Sequence, residues 1–501
     1  MAIMISAMKR AAHALLPAIP VDRASPTPLY RQIYEGFRSA ILDRRLRAGQ
    51  RIPSTRTLAG ELGISRLPIV NAFEQLVAEG YFESGIGSGT FVARSVPGRP
   101  DRRDRENARG SVRSRTRKST SRDSDFLVPR GADPWLGGPG AFRVSQPALD
   151  RFPFDTWSRL VGRHGRRMHR APGNLGYGDP MGDRVFREAV AAYLRTARAV
   201  RCEADQIMVV GGSQQALDLT ARVLLDADSP VWIEEPGYVG SRNVLRLRGA
   251  ELVAVPVDDE GLRVAAGVER SARARAAYVT PSHQYPLGMT MTLARRLELL
   301  DWARRSGAWI IEDDYDSEYR YESLPIASLQ GLDRDWRVIY IGTFSKVLYP
   351  ALRVGYIVIP ERLIPRFAAV RAATDDFPPT FLQQVLADFI REGHFARHIR
   401  RMRALYRQRR AALVDAIGSE LGDLLSVLGG EAGMHLVATL PKGKGDREVS
   451  VRAARQGFWA MPLSSCYFGK APRQGFVLGF GGTDVPEIRA GVRGLKSALG
   501  R

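Results

Sequence analysis

The chain has 501 residues, too many for one ordinary core, and its 44% hydrophobic content is ample for two or more globular domains. Lys and Arg number 74 against 53 Asp and Glu, and the resulting formal charge of +21 raises a polyanion such as nucleic acid as a partner. Two cysteines, Cys202 and Cys466, exclude a disulfide framework and have no metal-ligand spacing; no apolar run approaches the roughly 20 residues of a membrane helix, and Lys9 and Arg10 follow the short apolar start in the wrong order for a secretory signal, so a soluble cytoplasmic protein is expected.

In chain order, an extension of residues 1–24 comes first. Leu29, Ile33, Phe37 and Ile41 then recur at helical spacing, which predicts a helix with one apolar face. Pro53-Ser54-Thr55-Arg56 opens a second helix with Ser54 as its cap, and Leu58, Ala59 and Leu62 turn inward. Gly63-Ile64-Ser65 is a tight turn, and Arg66 to Glu79 forms the next helix, with Arg66 and Asn71 on its polar side. Tyr81 to Val92 reads as a two-stranded hairpin whose tip carries Gly87, Ser88 and Gly89, because glycine permits the positive φ of a tight turn. From Arg94 the character changes to Ser, Arg and Asp with almost nothing apolar, predicting a flexible basic linker over 94–131 that includes Arg113, Arg115 and Arg117.

Beyond the linker, strand-like runs at Ile207–Val210, Val231–Glu234, Leu252–Val257, Ala276–Thr280, Trp309–Glu312 and Val338–Ile341 alternate with helical stretches, which predicts a mostly parallel α/β sheet over 132–501. From about Pro378, a long Arg-rich helical region and shorter strands predict a smaller α+β lobe. Gly211-Gly212-Ser213-Gln214 follows a strand and opens a helix, where backbone N–H groups can receive a phosphate. Ile310 to Asp316 ends a buried strand in carboxylates; an acid there could hold a proton on a pyridine nitrogen, and a phenol could bond a ring oxygen. Thr343, Ser345, Lys346 and Arg353 supply an amine and a phosphate clamp together, an address for pyridoxal phosphate.

The segment 25–93 resembles the winged helix-turn-helix of GntR-type regulators. That resemblance implies that Arg56, Arg66 and the tip Gly87–Gly89 meet DNA, with Ser54, Thr55, Ser65 and Asn71 in the same frame. Leu67-Pro68 departs from the small polar residue usual in that family, with consequences for base preference. With Tyr238 in Glu235-Pro236-Gly237-Tyr238 and the run Pro281 to Gly288, the motif order over roughly 140–500 resembles fold-type I aminotransferases. The resemblance implies Lys346 as the Schiff-base lysine, Asp313 as the pyridine-nitrogen partner, Tyr315 as an oxygen contact, Tyr238 as the stacking ring, and Ser213, Gln214, Thr343 and Arg353 as phosphate ligands. His283 and Gln284 lie near the ring, and Tyr177 resembles a tyrosine that reaches the phosphate of a neighbouring subunit, implying a homodimer. Both halves together resemble the MocR subgroup of GntR regulators, in which an aminotransferase-like domain senses.

One departure divides the functional readings. Aminotransferases hold the substrate carboxylate with an arginine before a C-terminal strand, whereas Val477 stands at that place in Gln474 to Phe480 and Arg473 lies four residues off. Relatives answering to 4-aminobutyrate-like effectors retain such arginines, and those controlling vitamin B6 synthesis answer to pyridoxal phosphate. The sequence is therefore read as a pyridoxal phosphate-sensing transcription factor; a regulator sensing an amino compound and a working aminotransferase with a DNA-binding appendage are the alternatives.

Overall fold

In the computed structural model the chain forms two compact units that divide between residues 120 and 121. Residues 19, 21–85, 89–94, 133–136, 138, 140–170, 176–321 and 327–500 are described, so the linker beyond Arg94 and the hairpin tip residues Gly87 and Ser88 lie outside them.

Among its described residues the first unit has three helices, α1 (Leu29–Leu42), α2 (Thr55–Leu62) and α3 (Arg66–Ala78). Helix α1 buries Ile33, Phe37, Ala40 and Ile41 on one face, as its spacing predicts. Phe37, Phe73 and Phe82 meet edge to face at 5.2–5.5 Å and form the centre of the unit. Residue Ile19 of the expected N-terminal extension is buried in the same core, where it packs against Gly36. Ser54 accepts from the Thr57 N–H at 3.1 Å and so caps α2, which Gly63 closes in the left-handed region at φ 63°. Pro68 does not break α3, because it stands in the first turn, where an N–H has no intrahelical acceptor. The wing differs from the two strands expected. Strand β1 (Arg51–Ile52) pairs with β3 (Gly89–Val92), which pairs with β2 (Phe82–Gly85), giving a three-stranded sheet. A two-residue strand is too short for a sequence pattern to show, and it takes up the edge hydrogen-bonding groups that β3 would otherwise leave open.

The second unit is built on a sheet of order β4-β11-β10-β9-β8-β5-β6-β7. Its members are β4 (Ile207–Val210), β5 (Pro230–Glu235), β6 (Glu251–Asp258), β7 (Gly261–Leu262), β8 (Ala276–Val279), β9 (Trp309–Asp314), β10 (Val338–Thr343) and β11 (Gly355–Val358). All six strands predicted in this region are present, and β5, β6, β8, β9 and β10 run parallel. Strand β11 was not anticipated; it runs antiparallel between β10 and β4. Strands β4, β8, β9, β10 and β11 are buried along their whole length, with helices covering both faces of the sheet, which explains their near-continuous apolar runs.

The smaller lobe carries the long helix His394–Leu421 and an antiparallel sheet of order β12-β13-β15-β14, from Ser426–Leu428, His435–Thr439, Gly475–Gly479 and Met461–Pro462. It also takes in chain from well before residue 378, because Ala141 bridges Phe458 and Phe142 bridges Gly479. Among the described residues no helix is long and apolar enough to cross a membrane.

Candidate cofactor site and nucleic-acid interface

The parallel strands and β4 end at one edge of the sheet, where open α/β sheets bind ligands. Each sequence motif follows one of these ends. Gly211 and Gly212 follow β4, and the helix Ser213–Leu224 begins immediately after them. Gly212 has φ 116°, and a β-carbon there would come within 3.3 Å of Arg353 Nη1, so the guanidinium lies against the turn. Arg353 itself is held left-handed at φ 51°, at the close of the turn leading into β11. This places an arginine and a helix N-terminus around one small space, a fit for a phosphate dianion. Gln214 donates from Nε2 to the Tyr238 hydroxyl at 3.1 Å, tying the helix start to the aromatic ring after β5.

Asp313 lies near the end of β9 and is buried. Its Oδ2 accepts from the Tyr278 hydroxyl at 2.8 Å, while Oδ1 is buried with no hydrogen-bond partner among the described residues. Burial pushes the carboxyl up to about 6 against the pull of the Tyr278 hydroxyl and, more weakly, of the Lys346 charge. A buried carboxyl oxygen without a partner is costly, and a protonated pyridine nitrogen is the donor that would complete it. Lys346 follows β10, with Nζ 3.5 Å from the Ser145 carbonyl oxygen. Thr343 Oγ1 accepts from the Ser345 N–H at 3.2 Å, and Ser345 Oγ is buried without a partner among the described residues, a second open polar atom beside the lysine.

The Tyr315 hydroxyl donates to the His283 carbonyl oxygen at 2.9 Å and lies 3.0 Å from His283 Nδ1. Nδ1 is also 2.9 Å from Asp316 Oδ1, and His283 Nε2 is buried and without a partner among the described residues. His435, stacked obliquely on His283 at 4.8 Å, is kept neutral because burial lowers it to about 3. Gln284 serves the loop: its Nε2 donates to the carbonyls of Pro236 and Tyr285 at 2.9 and 2.7 Å, and its Oε1 accepts from Leu287 N–H at 3.0 Å. Its amide is thus occupied within the protein. Tyr177 is 91% exposed and its ring leans on Phe377 at 5.8 Å, the position of a side chain directed away from its own unit.

Sequence reasoning missed Tyr278, His435 and the pair Arg198–Asp314, buried at 2.7 Å and joined by Ser282 and Tyr340. Asp316 stood within the quoted motif without a role. Alternation along β8 could have flagged Tyr278, whose hydroxyl faces Asp313; His435 carries no local signal.

At the expected carboxylate site, Val477 is fully buried in strand β15 among Leu287, Val437, Met461 and Leu463. Arg473 is exposed before that strand. Neither supplies a buried guanidinium.

In the first unit Arg56, Ser65, Arg66 and Asn71 are exposed along α2 and α3, as base or phosphate contacts require. Arg66 Nε donates to Thr55 Oγ1 at 2.9 Å, which orients the guanidinium at the start of α3. Leu67 beside it is 68% exposed, so the helix start also presents an apolar side chain. Gly89 opens β3 with φ 102°, next to Arg51.

A winged helix-turn-helix followed by a fold-type I aminotransferase-like sheet with a pyridoxal phosphate address defines a class of sensor-linked DNA-binding protein. Residues 29–92 match the gntR family of bacterial regulatory proteins and residues 153–474 match aminotransferase class I and II. The probable rhizopine catabolism regulatory protein MocR of Rhizobium meliloti is 42% identical over 96% of this chain and 95% of its own. The pyridoxine biosynthesis transcriptional regulator PdxR of Corynebacterium glutamicum is 32% identical over 94% and 96%. Among solved structures, LysN, the α-aminoadipate aminotransferase of Thermus thermophilus, is 28% identical with a TM-score of 0.69, covering 76% of this chain and 97% of that one. The chain belongs to the MocR-type GntR transcriptional regulators: its first unit is a DNA-binding domain and its second a pyridoxal phosphate-binding domain of the aminotransferase fold.

Proposed function

We propose that this regulator senses pyridoxal phosphate itself, so that cofactor occupancy of the second unit sets operator affinity and ties it to vitamin B6 supply. One combination carries the reading: open polar atoms at Asp313 and Ser345 beside Lys346, together with an apolar Val477 where an amino acid's carboxylate would need a cation. The likeness to PdxR supports it. When bound, pyridoxal phosphate supplies an electrophilic carbonyl and a protonated ring. Lys346 offers its amine, Asp313 holds a proton at the ring nitrogen, Tyr315 meets the ring oxygen and Tyr238 stacks. Ser213, Gln214, Thr343 and Arg353 hold the phosphate; Ser345 and His283 border the ring, and Gln284 shapes its loop. Ser54, Thr55, Arg56, Ser65, Arg66, Asn71 and the tip Gly87–Gly89 contact the operator. The protein acts in the cytoplasm as a homodimer, with Tyr177 completing the phosphate site of the partner copy.

The buried Val477 also favours a second reading, in which an amine lacking a carboxylate is the effector; the name of the MocR relative, tied to rhizopine catabolism, is compatible with it. Efficient amino-acid transamination is the reading that Val477 opposes. Operator titrations with cofactor-free and cofactor-loaded protein test the proposal. Different affinities support it, equal affinities and footprints reject it, and a response only on adding an amine selects the second reading.

A further inference from the structure

The turn Gly211–Gly212 must stand at a fixed height if Arg353 and the helix start are to close on one phosphate. The Gly211 N–H donates to Gln215 Oε1 at 2.6 Å, and Gln215 Nε2 donates to Asp375 Oδ2, also at 2.6 Å. Asp375 Oδ1 lies 3.1 Å from Arg371 Nε and accepts from the Thr374 hydroxyl at 3.3 Å. Arg371 is 1% exposed; burial lowers its pKa, and Asp375 is the charge that opposes this. The N–H groups of Asp375 and Asp376 both donate to the Arg371 carbonyl at 3.1 Å, and Asp376 is held left-handed at φ 62°. The next residue is Phe377, on which the exposed Tyr177 rests and against which Gly178 fits so tightly that a β-carbon would lie 2.8 Å from the ring.

We propose that Gln215, Asp375 and Arg371 form a positioning relay that presets the Gly211–Gly212 turn for the cofactor phosphate and carries phosphate occupancy to the Phe377–Tyr177 surface. The proposal rests on the reading of that turn as the phosphate site. The relay has a polarity. Gln215 presents an acceptor to Gly211 and a donor to Asp375, so turning its amide would set donor against donor at one end and acceptor against acceptor at the other. By engaging the Gly211 N–H, it leaves the N–H groups of Gly212, Ser213 and Gln214 as the ones offered to a dianion. A phosphate that stiffens the turn then stiffens Gln215, the carboxylate it holds, and the segment leading to Phe377.

The polarity supplies the test. Gln215→Glu sets two carboxylates against each other, and Asp375→Asn leaves a single amide oxygen between Gln215 Nε2 and Arg371 Nε, both donors; each breaks one link. The double variant restores both links: the introduced carboxylate accepts from the Gly211 N–H as the Gln215 amide oxygen does and also accepts from the introduced amide at position 375, so only the bond between positions 215 and 375 changes direction. Pyridoxal phosphate is titrated into cofactor-free full-length protein by its visible absorbance, and amide exchange is followed over residues 364–380. Each single variant should weaken cofactor binding about tenfold, with the double variant recovering to within about threefold of wild type. Cofactor should slow exchange over 375–380 in wild type and in the double variant, and not in either single variant. Single variants that bind like wild type, or a double variant as weak as the two losses combined, overturn the relay and leave the phosphate site standing. Wild-type protein that takes up no cofactor brings down both. Circular dichroism of the cofactor-free variants shows whether each is folded, and recovery in the double variant separates a relay from a general packing defect.

Discussion

Asp313 concentrates the electrostatics of the site in one carboxyl: one oxygen is satisfied by Tyr278 and the other is left open in a buried place. Asp313→Asn preserves the shape but cannot hold a proton on a ring nitrogen, so cofactor affinity should fall by about tenfold or more, read by titration. Lys346→Ala should abolish covalent attachment; after borohydride reduction, peptide mass analysis of wild type should find the cofactor on Lys346, and its discovery on another lysine would move the assignment. A third residue sets a pH dependence. Burial raises Glu234 to about 7 despite the Thr280 hydroxyl at 2.6 Å, so between the ordinary carboxylate range and pH 7 the folded form keeps a proton that the unfolded chain has released. The unfolded state then binds fewer protons, and stability falls as pH rises through that window, by at most about 1.4 kcal/mol per unit from this group. Glu234→Gln should show a shallower decline in denaturation midpoint between pH 5 and 7 than wild type, on the order of one unit of proton uptake less.

At the scale of elements, the DNA-binding unit depends on short helices whose ends are fixed by side chains. Ser54→Ala removes the acceptor for the Thr57 N–H and should loosen α2 by about 1 kcal/mol, read as faster amide exchange over residues 55–62. Arg66→Ala should weaken operator binding by about 1–3 kcal/mol if the guanidinium reads a base edge, and by less, with a shallower salt slope, if it meets a phosphate. The helices and buried strands were legible in the sequence because their signals are local: the spacing of Ile33, Phe37 and Ile41, the cap at Ser54, and apolar runs such as Trp309 to Ile311. Lys346, Arg353 and Asp313 stand in contiguous motifs, which is why the sequence could single them out as candidates. Strand β1 was too short to show a period, and nothing in Gly355–Val358 states that β11 runs against its neighbours. Tyr278 and His435 reach the site through sheet register and lobe packing, which no local pattern encodes.

For the whole molecule, the two units are joined through a segment rich in Arg and Ser, and on the proposed reading cofactor occupancy acts on operator affinity by shifting populations of geometry. Linkage makes this measurable from either side: if loading with pyridoxal phosphate changes operator affinity by a factor, operator DNA must change cofactor affinity by the same factor, typically equivalent to about 1–3 kcal/mol. Calorimetric titration of cofactor with and without operator should return that equality. Neutralising Arg113, Arg115 and Arg117 should leave the coupling intact and reduce only the salt-dependent, sequence-independent part of DNA affinity.

Strand β11 also bears on the order in which the molecule is made. Because it lies between β10 and β4, the Gly211–Gly212 turn after Val210 meets Arg353 only once the chain has been synthesised through Gly355, whereas every described element of the DNA-binding unit is complete by Val92. Contacts so distant in sequence form slowly, and domains fold as units in the order they leave the ribosome. Each new molecule therefore passes through an interval in which its DNA-binding unit is assembled and its second unit is not.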